Sequence, residues 1–334
     1  MGAGGSRFKS GCPDFLRMDT VSHPNSFCHH YAAAVLSSVV SADGIHAFAS
    51  DVIITPFPFQ SLIVSVNYTT QPDALLLLEV QVRINGVWSE FYKLGLFSKD
   101  LKSCFPDQQD AFGKVEADTL SLFSAAEAYR VRIHFKGTLS LQGFYACGLR
   151  FPFIYDEKKS ACLPEGAYQT QVAPLSQMQV KHPDHRRICS PVSLCMALQT
   201  LGFEVSLKDV MSGVLDQRAN IYGNWIFNTA YASEVGTESY VKRFSALAEL
   251  KDYCREGSLV IASIAYEKND LPGAPMERTD GHLVLIRGYK PGQILVADPA
   301  APTNDTVLRT YEAVAFAKAW LERKQGVAYI VRKK

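Results

Sequence analysis

No CxxC pair occurs among the eight cysteines, which stand at positions 12, 28, 104, 147, 162, 189, 195 and 254. That argues against a zinc ribbon or a thioredoxin-type centre, since both need two thiols at close spacing. No apolar run approaches the roughly 18 residues that a bilayer span requires. The stretch Tyr31 to Val40 is apolar, but it is short and follows His29 and His30. Neither sign of charge dominates: 34 Lys and Arg against 33 Asp and Glu give a formal net charge of +1. Electrostatics therefore give no case for nucleic acid or an anionic membrane as the main partner. Met1 to Phe15 is glycine-rich and polar, without the apolar core of a secretory leader. Together with the scattered thiols this gives the expectation of a reduced, cytoplasmic chain, with export by another route left open. Met1-Gly2-Ala3-Gly4-Gly5-Ser6 fits the pattern for acylation at Gly2, which a glycine-rich terminus also produces by chance. Cys28-His29-His30 has metal-ligand residue types but no companions at ligand spacing, so no metal or other cofactor is expected.

What is present divides into two halves. A length of 334 residues suggests two domains, and 47% hydrophobic with 20% charged residues is ordinary for a globular chain. Residues 1–25 mix Gly, Ser, Pro and charges without a period and read as a flexible N-terminal arm. Over 26–157 the strand period dominates. Leu78, Val80, Val82 and Ile84 alternate with polar neighbours, and Asn85-Gly86 then signals a hairpin into Val87–Tyr92. Tyr129, Val131, Ile133 and Phe135 alternate likewise; Ser61–Tyr68 is a further strand, and Pro56 and Pro58 mark a turn before it. Such a run of strands predicts an antiparallel β-sandwich. Trp88, Phe91, Tyr92 and Phe97 are read as its core in preference to a platform for sugar or peptide. Residues 158–170 read as a linker. From 171 to 334 the order is α+β. Helices are expected at 190–201, 206–216, 225–235, 245–256 and 312–321, and strands at 258–265, 282–289, 293–298 and 326–332.

The chemistry concentrates on Cys189. Ser190 and Pro191 suit the first positions of a helix, Leu194, Ala197, Leu198 and Leu201 recur at helical spacing, and Gly202 closes the run. A thiol at the positive end of a helix dipole is biased toward the thiolate, the nucleophilic form. A cysteine nucleophile also needs a base and a group to orient it. His182 and His185 lie in a polar, proline-bearing loop and read as solvated. His282 instead opens the apolar strand Leu283–Ile286, and the following strand ends at Asp298-Pro299. With Lys290-Pro291-Gly292 as the turn, Val284 faces Asp298 and His282 lies one diagonal step away on the same face, near enough for imidazole and carboxylate to meet. A four-residue turn would put the two on opposite faces. Cys195 and Cys254 read as core.

In that order the second half resembles papain-like cysteine peptidases of the bacteriocin-processing (double-glycine leader peptidase) family, in particular its stand-alone bacterial members. The matching segments are Pro174-Leu175-Ser176-Gln177-Met178, Ile188-Cys189-Ser190-Pro191-Val192-Ser193, Tyr222 through Ala232, Gly281-His282-Leu283-Val284 and Asp298-Pro299-Ala300. The β-domain before them resembles one that such members carry. The resemblance implies a papain-like fold over 171–334, with Cys189 as nucleophile, His282 as base and Asp298 orienting it. It implies Gln177 as the oxyanion-hole glutamine. Gln177 stands twelve residues before the cysteine where about six is usual, so Gln179 is kept as a fallback. Tyr222, Asn224 and Trp225 carry two readings, a tight turn into the core or a lining of the substrate cleft.

The expected activity is hydrolysis of a peptide or amide bond through a thioester acyl-enzyme, with a peptide or protein as substrate and no nucleic acid. Two rivals stand beside it: an acyltransferase of the same fold in the manner of a transglutaminase, and a non-catalytic peptide- or carbohydrate-binding protein. The sandwich is free in this reading to bind a partner or a glycan.

Overall fold

The computed structural model describes residues 19–23, 25–33, 37–40, 45–71 and 73–334, with only the backbone of 19–23 and 37–40. The acylation pattern at Gly2 and most of the expected arm lie outside these. Within the arm, Asp19–His23 (β1) is a strand paired with Ser26–Ala32 (β2).

The remaining strands of the first half are Ser37–Val40 (β3), His46–Ala49 (β4), Ile53–Thr70 (β5), Leu75–Ile84 (β6), Val87–Trp88 (β7), Tyr92–Phe97 (β8), Lys102–Ser103 (β9), Gly113–Glu116 (β10), Thr119–Lys136 (β11) and Leu139–Arg150 (β12). Among the described residues these twelve form one antiparallel hydrogen-bonded sheet along β1-β2-β12-β5-β11-β6-β8-β9, with β10 and β4 on β11, β3 on β4 and β7 on β6. The period-two pattern of β6 explains its placement. Leu76, Leu78, Val80, Val82 and Ile84 all face the core. Asn85 and Gly86, both at positive φ, make the tight turn expected of that dipeptide. On the opposite face Glu79 and Gln81 are also buried, because Arg132 and Arg130 of β11 lie over them and bond them at 2.8 and 2.6 Å.

The aromatic cluster therefore splits. Tyr92 and Phe97 are core, as expected, but Trp88 and Phe91 are only partly buried. They sit under guanidinium groups, with Arg130 4.9 Å from the Trp88 ring and Arg132 3.9 Å from the Phe91 ring. The core reading fails for these two because they project from the outer face of the sheet, where arginine stacking covers them.

The second half adds α1 (Glu157–Ser160), β13 (Tyr168–Gln169), α2 (Cys189–Thr200), α3 (Leu207–Val214), α4 (Trp225–Val235), β14 (Thr237–Arg243), α5 (Leu250–Arg255), β15 (Leu259–Tyr266), β16 (Thr279–Lys290), β17 (Gln293–Ala297), β18 (Leu308–Glu312), α6 (Ala313–Ala317) and β19 (Val327–Lys333). The antiparallel sheet runs β14-β19-β15-β16-β17-β18, with β13 also on β16. The stretch read as a linker thus contains most of α1 and a strand of this sheet. Besides β13, the strands β14 and β18 were not expected. In β14 the polar residues Thr237, Ser239, Lys242 and Arg243 are buried, and a polar run of this kind gives no strand signal by itself.

What buries β14 is the first half of the chain. Asn67 of β5 grips Ser239 from both sides, its amide nitrogen on the Ser239 carbonyl at 2.8 Å and its oxygen accepting the Ser239 N–H at 2.9 Å. Ser65 accepts the Val241 N–H at 3.2 Å, and Ser233 of α4 bonds both N–H and carbonyl of Tyr68. Residues 61–68 are buried on both faces of the strand, one turned to the core of their own sheet and one to α4 and β14. One apolar core runs through both halves. No helix among the described residues is long and apolar enough to cross a membrane.

Candidate active site

The hairpin β16–β17 decides whether His282 and Asp298 can meet. Its turn is Pro291-Gly292 alone, since Lys290 pairs with Gln293. A two-residue turn in an uninterrupted ladder would set Asp298 opposite Leu285 and turn it away from His282. The ladder is interrupted: Gly288 pairs with Leu295 but Ile286 with Val296, so Arg287 is an extra residue, a β-bulge. Beyond it Leu285 faces Ala297, and one step further Asp298 stands opposite Val284, on the same face as His282. The bulge coincides with Gly288 at φ +153°, where an added Cβ would come 2.0 Å from the Tyr168 carbonyl oxygen of β13. Only glycine admits that close approach.

The geometry that results is a relay of buried groups. His282 Nε2 lies 2.7 Å from Asp298 Oδ1, with the residues 2% and 0% exposed. The other ring nitrogen is left for Cys189, whose ionisation is coupled to that of His282. Cys189 is half-buried and is the first residue of α2. Ser193 Oγ donates to the Leu283 carbonyl at 3.0 Å and clamps α2 to β16 beside the imidazole. Ser190 Oγ donates to Asn228 Oδ1 at 2.9 Å and lies 3.0 Å from the Tyr329 hydroxyl. Asp298 is itself held: Oδ1 accepts the Ala300 N–H at 3.0 Å, and Oδ2 accepts the Tyr311 hydroxyl at 2.7 Å.

These contacts set the charges. Burial opposes ionisation of Cys189, but the hydrogen bond and positive charge of His282, with the N–H groups of Leu283 and Ser190, outweigh it and hold the thiol below its ordinary value. Burial likewise opposes the imidazolium, yet the carboxylate of Asp298 and its hydrogen bond carry His282 up to about 10. Asp298 is kept below the usual carboxylate range because His282, Tyr311 and the Ala300 N–H overcome its desolvation. Both shifts favour the thiolate–imidazolium pair over the neutral pair. Cys195 and Cys254 are buried, and burial pushes their thiols up to about 11 and about 12.

The other expected residues fall in different places. Gln177 lies in a 3-10 turn at Gln177–Gln179 whose N–H donates to the Pro299 carbonyl at 2.8 Å, next to Asp298. It is 3% exposed, and its side-chain amide makes no hydrogen bond among the described residues. Gln179 Oε1 instead accepts the Asn304 N–H at 3.1 Å. Asn224 is fully buried as the N-cap of α4, its oxygen on the Phe227 N–H and its nitrogen on Asp216. Its polar atoms are spent on the fold, which favours the turn reading over the cleft. Tyr222 is buried with its hydroxyl committed to Asp184 at 3.0 Å. Trp225 alone of the three lines a cavity. Sequence reasoning missed Tyr311, Ser193 and Ser190, whose roles depend on strands and helices far away in the chain. In the first half, His29 pairs with Tyr129 and His30 stacks on Tyr145. Among the described residues no group of three or more His, Cys, Asp or Glu could hold a metal ion.

Residues 169–328 match the model of the Peptidase_C39 like family, and residues 45–140 match that of the Peptidase C39 N-terminal domain. Among solved structures the chain is similar to a double glycine motif protease from an AMS/PCAT transporter in complex with the leader peptide. The identity is 18%, over 52% of this chain and 97% of that one, with a TM-score of 0.36. It is also similar to a putative C39-like peptidase from Bacillus anthracis, at 14% identity over 51% of this chain and 99% of that one, with a TM-score of 0.39. No curated protein matches it.

Proposed function

Residues 169–328 belong to the Peptidase_C39-like family, and from that premise we propose that this chain is a cysteine peptidase working through Cys189, His282 and Asp298. The observation that supports the reading is a buried imidazole held by a buried carboxylate at 2.7 Å, with its charge coupled to a sulfur at a helix start. In this mechanism the Cys189 thiolate attacks the scissile carbonyl. The oxyanion forms against the N–H of Cys189, which has no intrahelical partner at a helix start, and the uncommitted amide of Gln177. Imidazolium His282 then gives its proton to the departing amine and leaves a thioester on Cys189. Neutral His282 takes a proton from water, which attacks the thioester and frees the acid. Asp298 keeps the ring oriented and stabilises its charged form throughout.

We also read the chain as two domains, 26–157 and 171–334. The first is a sandwich-like sheet in which the 18-residue strands β5 and β11, each with register shifts and two or more partners, turn the corner between layers. The free thiols among the described residues suit a reducing compartment.

Labelling with a thiol-directed electrophile tests the mechanism. The expected outcome is stoichiometric modification of Cys189, with the rate reduced roughly 10²–10⁴-fold in His282→Ala. Equal labelling of the two proteins, in a fold intact by circular dichroism, would sink the proposal.

A further inference from the structure

The catalytic relay leaves one buried charge without a role, and that charge lines a cavity. Arg243, at the end of β14, is 5% exposed. Its Nη1 donates to the Gln325 carbonyl at 3.3 Å, and among the described residues its Nε has no partner and no carboxylate forms an ion pair with it, although the charge of Asp118 reaches it. A guanidinium removed from water without a hydrogen-bonded counter-charge is unfavourable, and in folded chains such groups are normally paired. The cavity beside it measures about 450 Å³ and is polar, within the size range of sites for small ligands and side chains. Both halves of the chain build it. Ser61, Asp118 and Leu149 come from the first, and Trp225, Arg243 and Gln325 from the second. Ser61 Oγ is also buried without a partner.

The acids near the cavity are already engaged. Asp118 accepts the Trp225 N–H at 2.5 Å and the Thr119 hydroxyl at 3.1 Å. Glu116 is paired with Lys114 and accepts from Ser121 at 2.8 Å. Lys324, one residue before Gln325, adds positive charge, and its Nζ bonds the Asp280 carbonyl at 3.2 Å. None of the reacting groups lines the cavity, but two short chains of contacts lead from its lining toward them. Trp225 stands two residues after Gly223, whose carbonyl accepts from the Tyr329 hydroxyl, which in turn meets Ser190 beside Cys189. Lys324 holds Asp280, two residues before His282.

We infer that this interdomain cavity is a substrate subsite that receives an acidic residue of the peptide, its carboxylate meeting the fork of Arg243. A carboxylate there would neutralise the guanidinium through paired, charge-assisted hydrogen bonds. The N-terminal sheet then forms one wall of the specificity pocket. The inference rests on the peptidase reading for the identity of its occupant.

The test is binding to the Cys189→Ala protein, which removes turnover. The probe is a synthetic peptide library in which each position is fixed in turn as Glu or as Gln. One position is expected to favour Glu by about tenfold or more, the worth of a hydrogen bond to a charged group. The preference should vanish in Arg243→Gln and persist, reduced, in Arg243→Lys, which also serves if the glutamine variant does not fold. No binding, equal binding of Glu and Gln at every position, or a preference that survives Arg243→Gln would each overturn the subsite. So would acetate alone raising the melting temperature of wild type but not of Arg243→Gln while the peptides show no preference, which would assign the cavity to a free small anion. Peptides that bind with the expected preference, yet are not cleaved by the wild-type protein, would leave the subsite standing and remove the peptidase reading.

Discussion

Two carboxylates in this molecule are shut off from solvent to the same degree, and they do different things. Asp298 and Asp216 are both fully buried. Asp216 accepts the N–H groups of Cys104, Arg218 and Ala219 and the side-chain amide of Asn224, at 2.9 to 3.2 Å. Every one of those donors is neutral, and together they pin the first half of the chain to the loop before α4. Asp298 has two neutral donors of its own, Ala300 N–H and the Tyr311 hydroxyl, but its third partner is an imidazole whose ionisation is coupled to a thiol. Burial by itself therefore does not single out Asp298. In the proposed mechanism what singles it out is a partner that can exchange a proton with a reacting group.

The largest expected effect breaks this comparison directly. Asp298→Asn should lower kcat/KM by on the order of 10³–10⁴-fold, because a neutral amide no longer stabilises the imidazolium or fixes the tautomer. Asp216→Asn should leave the activity of folded protein within about threefold while costing about 1–3 kcal/mol in denaturant unfolding, the penalty of unmatched buried donors. A comparable activity loss in both variants would show that burial, not the imidazole, is what matters.

The pH profile sharpens the same contrast. Cys189 lies below its ordinary value and His282 near 10, so the thiolate–imidazolium pair exists between the two. As pH falls through the lower transition the thiolate is protonated, and labelling should decline tenfold per unit. As pH rises past about 10 the imidazolium loses its proton. Peptide cleavage should then decline while labelling continues, since only cleavage needs the proton for the leaving amine. Asp216→Asn should keep this profile, and Asp298→Asn should lower the alkaline limb. An alkaline limb unmoved by Asp298→Asn would separate the carboxylate from the imidazole.

The smallest effect is expected at Tyr311. Tyr311→Phe removes one hydrogen bond to the Asp298 carboxylate, worth about 1.5–3 kcal/mol between charged and neutral partners. Some of this should appear as a drop in activity of about tenfold, and the rest as stability. Phenylalanine here with full activity and an unchanged alkaline limb would make the tyrosine a packing residue only.

The hairpin shows how a reading from sequence can be right by a different route. With a three-residue turn at Lys290-Pro291-Gly292, Val284 was expected to face Asp298. The structure has a two-residue turn and one bulged residue, Arg287, and the two add to the same register. The period of side chains in a strand is two, so any single extra residue restores the face, and sequence spacing cannot say where that residue sits. Helix α2 was legible for the opposite reason, because its cap, proline and apolar spacing are all local. Helix α4 was expected at 225–235, and it occupies Trp225–Val235. Asn224 was not assigned as its cap, and its second partner, Asp216, comes from an irregular loop. Strand β14 was illegible because its buried face is polar and is satisfied by Asn67 and Ser65, over 170 residues away.

The amino-acid order by itself pointed to antiparallel strands in the first half and mixed helices and strands in the second, to the cysteine at a helix start, and to a histidine on one strand with an aspartate at the end of the next. These depend on periodicity, caps and turns, whose physics acts over a few residues. Only the tertiary structure decided which buried acid is tied to the imidazole of His282. It also decided that an arginine of the second half closes a cavity whose far wall belongs to the first. Those outcomes depend on which distant surfaces exclude water from one another, and no local pattern encodes that.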